Sequence, residues 1–136
     1  MQDNTTLPID LIDAYRNTDF KVLKPIAFTL RIGVKSDELL AVYVDLGVCS
    51  AGYLTAWNPY SRDTSSEQNN KAQADLIRNL ETANSVVWQG LGADPSGDWP
   101  GEESVLALGI DLAAAKSLGR EFEQNAIVWV GKDAVP

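Results

Sequence analysis

Three sets of polar residues have types and spacings suited to chemistry. Asn58, Tyr60, Ser61 and Arg62 follow the apolar and aromatic run from Tyr53 to Trp57. An amide and a guanidinium there can hydrogen-bond a polar ligand while Trp57 and Tyr60 supply ring area. The competing reading is a turn in which Asn58 bonds its own backbone. Asp94, Asp98, Glu102 and Glu103 form an acidic set, with Trp99 among them. Carboxylates so close in the chain can hold a hard cation through oxygen. They can also part into a protonated and an ionised member, with Glu102 or Glu103 as general acid or base. Against both stands an ordinary reading: the calcium-loop pattern Asp-x-Asp-x-Asp-Gly is missing, and Asp-Pro and Gly-Asp are common turn dipeptides. The amides of Gln124 and Asn125 either end a helix or read a ligand beside the strand that follows.

Other chemistries are excluded by what the sequence lacks. It has no histidine, which removes histidine bases and imidazole-built zinc sites. Cys49 is the only cysteine, so no internal disulfide forms. It follows apolar Val48 and has no basic neighbour to lower its pKa, so it reads as a buried or half-buried inert thiol in a reducing compartment. Ser61 and Ser65 have no evident base. Gly90-Leu91-Gly92 lacks the third glycine and the following helix of a phosphate-binding loop. No metal and no cofactor is expected.

The net charge of −8 favours solubility and opposes nucleic-acid phosphates. No apolar run approaches the length of a membrane span, and residues 1–4 lack a secretory pattern. The chain therefore reads as soluble and cytoplasmic, without nucleic-acid or membrane partners.

The elements that must position these residues follow from periodicity. A helix is expected over Leu7 to Asn17, capped by Thr6 with Pro8 in its first turn. Phe20 to Leu23 reads as a strand, interrupted by Pro25. Ile26, Phe28, Leu30 and Ile32 then alternate with smaller or polar residues, a half-buried strand. Ser36 caps a second helix that Gly47 ends. Tyr53 to Trp57 is a strand. Ser65, with Gln68, opens a third helix whose stripe is Ala72, Leu76, Leu80 and Ala83. On its outer face, Glu67 is expected to pair with Lys71 and Arg78 with Glu81.

Val86 to Trp88 and Ser104 to Leu108 read as strands, and Gly90 to Gly101 between them as a loop. Asp111 caps a fourth helix. Ala126 to Val130, apolar throughout, reads as a central strand covered on both faces. The sum is one α+β domain over residues 1–136, a mixed sheet of about five strands with about four helices packed on it.

Four stretches carry a resemblance. They are Arg31-Ile32-Gly33, then Leu54-Thr55-Ala56-Trp57-Asn58-Pro59-Tyr60-Ser61, then Asp98-Trp99-Pro100-Gly101-Glu102, then Gln124-Asn125-Ala126-Ile127-Val128-Trp129. In order and spacing the chain resembles, over roughly residues 20 to 136, the bacterial family catalogued as domain of unknown function 3293. The resemblance implies a small stand-alone protein and brings no activity, ligand or catalytic residue with it.

Three functions fit these features. The first is a small ligand-binding or regulatory module, its site built from Asn58, Tyr60, Ser61, Arg62, Trp99, Gln124 and Asn125. The second is a histidine-free enzyme using Glu102 or Glu103. The third is an acidic partner for a basic protein surface. The first two need residues distant in the chain to converge on one hollow; the third needs carboxylates clustered on one face.

Overall fold

Alternation and helix caps set most of the element boundaries. The computed structural model describes residues 9–58, 64–97, 101–124 and 126–136. Helix α1 spans Ile9–Arg16; the expected cap Thr6 and Pro8 lie outside the described residues. Strand β1 (Asp19–Lys24) turns Phe20 and Val22 inward, and β2 (Phe28–Leu30) turns Phe28 and Leu30 inward. The two pair antiparallel. Ile26 lies in the turn between them and is half exposed, so the expected alternation begins only at Phe28.

Ser36 Oγ accepts the Leu39 N–H at 3.1 Å to open α2 (Asp37–Leu46), and Gly47 at φ 68° closes it. Such a cap contributes about 1 kcal/mol. Val48 packs inward after that left-handed turn, which leaves the next residue, Cys49, on the outside; the thiol is exposed, not buried as expected. Strand β3 is Ala51–Leu54, earlier in the chain than the expected Tyr53 to Trp57. Ser65 caps α3 (Ser66–Thr82), accepting from the Gln68 N–H at 3.2 Å. Arg78 on α3 pairs back to Asp75 instead of to Glu81, and the Glu67–Lys71 pair does not form.

Strand β4 (Val86–Ala93) runs straight through Gly90 and Gly92, where a loop was expected. It returns as β5 (Glu102–Leu108). Asp111 Oδ1 accepts from the Ala114 N–H at 2.7 Å to start α4 (Leu112–Glu121), and β6 (Val128–Val130) ends the fold.

The six strands form one sheet in the order β2-β1-β4-β5-β3-β6, and every neighbouring pair is antiparallel. The α+β class holds; the mixed sheet does not. Helix-containing crossovers of the kind that can give parallel pairing are present, but each one skips a strand. Through α3, β3 joins β4, and β5 lies between them, antiparallel to both; through α4, β5 joins β6, and β3 lies between them. Strand β6 is correspondingly an edge strand and not central. It is still covered on both faces, with Val128 and Val130 in one core and Trp129 in the other.

One core lies under α2 and holds Leu39, Val42, Tyr43, Tyr53 and Leu106; the other lies under α3 and α4 and holds Leu76, Leu80, Val105 and Ala115. Among the described residues no helix is long and apolar enough to cross a membrane.

Candidate functional site

The site starts from one tyrosine. Tyr53 stands on β3, and its hydroxyl donates to the Lys21 carbonyl of β1 at 2.6 Å. In the sheet order, β5 and β4 lie between those strands. Neighbouring strands are about 4.8 Å apart, so this bond closes only because the sheet curls around the ring. Two local features permit the curl. The β1–β4 register shifts between Val22 and Lys24, a bulge of the kind that bends a strand. Opposite Val22 stands Gly90, where any Cβ would lie 2.7 Å from both the Lys21 carbonyl and the Tyr53 hydroxyl. Only glycine admits both groups. Tyr53 also meets Phe20 edge-on, with ring centroids 5.2 Å apart.

One row further along, the same concave face is open. Phe20 on β1 pairs with Gly92 on β4, and Gly92 pairs with Glu102 on β5. Strand β3 has already left the sheet at this level, so no ring crosses Gly92. What remains is a cavity of about 290 Å³. Phe20, Gly92, Glu102 and Ser104 line it from the sheet, Tyr15 and Thr18 from the end of α1, and Leu118 and Gly119 from α4. Gly119 lets α4 come this close, since a Cβ there would lie 2.5 Å from Ile127 Cγ2.

The rim is the segment after β3, held by two amides of α3. Gln73 Oε1 accepts the Ala56 N–H at 2.9 Å. Asn69 Oδ1 accepts the Asn58 N–H at 2.9 Å, and Asn69 Nδ2 donates to Asn58 Oδ1 at 2.9 Å and to the Thr64 carbonyl at 3.2 Å. The Thr64 N–H also donates to Asn58 Oδ1 at 3.1 Å. Gln124 Nε2 donates to the carbonyls of Trp57 at 3.3 Å and Phe122 at 3.2 Å. Asn69 and Gln73 are almost wholly buried, where an unmade hydrogen bond is expensive, so the network fixes the rim.

Of the residues singled out in the sequence, Asn58, Glu102 and Gln124 line this one cavity. Asn58 does so with an Oδ1 that already accepts from Thr64 N–H and Asn69 Nδ2, and Gln124 with an Nε2 that already donates to two carbonyls. Glu103 is on the opposite face of β5, exposed, beside Gln73, Glu81 and Gln89 in a separate, more polar hollow. Asp94 accepts from Ser96 N–H at 3.0 Å and from Ser96 Oγ at 2.7 Å, a turn of its own. Tyr60, Ser61, Arg62, Asp98, Trp99 and Asn125 lie outside the described residues. The sequence reading overlooked Tyr15, Tyr53, Asn69, Gln73 and Gly92. Signals for them existed: Asn69 and Gln73 continue the Leu76 and Leu80 stripe of α3 at helical spacing, and Gly90-x-Gly92 has the period of a strand.

Within the cavity, the hydroxyls of Thr18, Tyr53, Thr55 and Ser104 all donate to backbone carbonyls. Two groups differ. Among the described residues nothing donates to or pairs with the Glu102 carboxylate, and burial pushes its pKa above the usual carboxylate range. The Tyr15 phenol is raised too, first by burial and then by the negative charge of Glu102 nearby. No group of three or more potential metal ligands occurs among the described residues.

A family model described as "Protein of unknown function (DUF3293)" matches residues 54–127, more than half of the chain. That span contains the rim, α3, β4, β5 and α4. No curated protein and no solved structure matches the chain significantly.

Proposed function

We propose, given that the chain belongs to the DUF3293 family and that this family's description assigns it no function, that the protein is a small-molecule binding module whose site is the cavity above Gly92. One observation carries the reading: an apolar-walled hollow of about 290 Å³ contains a carboxylate with no protein partner among the described residues. The volume sits at the lower end of ligand pockets, roughly 300–1,000 Å³, and few convergent polar groups in an apolar wall are typical of them. Asn58 and Gln124 act as positioning residues of the rim, and Tyr60, Ser61, Arg62, Trp99 and Asn125 stay candidate ligand-binding residues on their side-chain types alone. The net charge of −8 favours partners other than nucleic acid. A single exposed thiol without a partner in the chain fits a reducing, cytoplasmic setting.

Gly92→Leu tests the reading. A Cβ at Gly92 meets nothing closer than Ser104 Oγ at 3.8 Å, so the leucine fits and its branches fill the hollow. A fragment screen by amide NMR is expected to shift Tyr15, Gly92 and Gln124 in the wild type and to lose those hits in Gly92→Leu. Hits that survive in the filled variant place binding elsewhere and defeat the reading.

The raised pKa of Glu102 also favours a second reading, general acid–base catalysis in the same hollow. It predicts turnover that disappears in Glu102→Gln while ligand affinity persists.

A further inference from the structure

We infer that the ligand of this cavity is a small organic cation, a compact ammonium group on an apolar body about the size of one ring with a short arm. The inference rests on the binding-module reading and adds the chemical class to it.

Charge comes first. Glu102 is the one acid among the described residues lining the cavity, and no lysine or arginine lines it with them. Among the described residues, an anionic ligand would therefore meet a carboxylate and no counter-charge. A neutral apolar ligand would cover that carboxylate and strip its water without replacing it, which is costly. A cation supplies the missing partner.

Hydrogen-bond supply points the same way. The hydroxyl protons of Thr18, Tyr53, Thr55 and Ser104 and the Gln124 Nε2 donor are directed at backbone carbonyls. The one charged group these walls still offer is the Glu102 carboxylate, with two acceptor oxygens. An ammonium group carries three donors and no acceptor, which is the complementary set.

The remaining wall suits the body of such a molecule. Tyr15, Phe20, Tyr53 and Trp57 line the cavity, and aromatic rings attract cations through the negative potential of their faces. The volume of about 290 Å³ is about twice that of a cavity that holds benzene, about 150 Å³. The protein's charge of −8 adds long-range attraction for a cation and none for an anion.

The test uses three probes of one shape, benzylamine, benzyl alcohol and benzoate, titrated into the full chain at neutral pH and followed by amide NMR. Benzylamine is expected to shift the amides of Tyr15, Gly92, Glu102 and Gln124 and to bind about tenfold or more tighter than benzyl alcohol. Benzoate is expected to be the weakest of the three. Glu102→Gln should bring benzylamine down to the level of benzyl alcohol, and Gly92→Leu should exclude both.

The wild-type ranking alone decides the matter if Glu102→Gln proves poorly folded. Benzyl alcohol or benzoate binding as tightly as benzylamine overturns the cationic ligand while leaving the cavity as a binding site. Benzylamine binding unchanged in a folded Glu102→Gln does the same. If no probe shifts the cavity amides, the binding-module reading itself falls, and this inference with it.

Discussion

Two neighbouring rows of the curled sheet have the same construction and opposite fates. In one, Val22, Gly90 and Ser104 stand side by side on β1, β4 and β5; in the next, Phe20, Gly92 and Glu102 do. Each row places a glycine at its centre, and a glycine in a strand leaves room above the sheet. Above Gly90 the room is taken by Tyr53, whose hydroxyl crosses to the Lys21 carbonyl. Above Gly92 it is left open, because β3 ends at Leu54 and the chain turns away toward α3. A missing side chain thus makes structure where a neighbour fills the space and makes a hollow where none does. The hollow also has the carboxylate in its wall.

The largest expected effect tests the filled row. Gly90→Ala drives a Cβ into a backbone carbonyl that cannot rotate away, and into the Tyr53 hydroxyl. It should destabilise the fold by about 4 kcal/mol in urea denaturation, at the severe end of overpacking in a core. A loss under about 1 kcal/mol would mean that the curl around Tyr53 is loose and that the two rows are not distinct.

Asn69→Ala comes next and tests why the second row stays open. It removes three hydrogen bonds from an almost wholly buried position and leaves Asn58 without its α3 partner. A loss of about 2–3 kcal/mol is expected, with the amide signals of 55–58 shifting most. If those signals stay in place, the rim is held by something other than α3.

These rows also explain which parts could be read from the sequence. Caps depend on neighbours a few residues apart, so Ser36, Ser65 and Asp111 were legible, as was Gly47. Strand identity was legible wherever alternation was apolar, and it failed at Gly90 to Ala93, where glycine normally signals a turn. It became a strand because Tyr53, nearly forty positions earlier in the sequence, needed the space. The mixed sheet was misjudged for a related reason, since a crossover reveals the direction of its two strands and not whether a third lies between them. At the site, Asn58, Glu102 and Gln124 were recognised as polar residues near strand ends, but residue type did not say which was already engaged. Asn58 is held by Asn69 and the Thr64 N–H and Gln124 by two backbone carbonyls, whereas Glu102 and Glu103, adjacent in the chain, fall on opposite faces through the period of two in β5.

Filling the open row should have a smaller effect, opposite in sign to that of Gly90→Ala. Gly92→Leu finds open space above an extended strand and adds apolar contact with the rings around it. A gain of about 1 kcal/mol is expected at about pH 4, where the neighbouring Glu102 carboxyl is neutral and covering it costs little. Two glycines on one face of one strand then respond in opposite directions to added bulk. A clear loss of stability from Gly92→Leu would show that the hollow is narrower than the geometry gives.

The subtlest expectation concerns how Glu102→Gln depends on pH. Among the described residues, Tyr15 from α1 and Tyr53 from β3 are the other titratable groups lining the cavity, and neither ionises near neutrality, since burial raises both phenols. The Glu102 carboxyl is raised in the folded protein by burial, whereas in the unfolded chain it titrates near the ordinary value, about 4.3. Below the unfolded value the carboxyl is neutral in both states and resembles glutamine, so wild type and Glu102→Gln should unfold at nearly the same urea concentration. As pH rises through the folded value, the half-buried carboxylate ionises with no partner among the described residues, and the wild type loses stability that the glutamine variant keeps. The variant should therefore be the more stable of the two at pH 7, with the gap closing toward pH 4. Benzylamine at saturating concentration should narrow that gap by stabilising the ionised wild type and not the variant. A gap of constant size from pH 4 to pH 8 would mean that water reaches Glu102 freely, and the open row would then be a surface groove with no desolvated charge to satisfy.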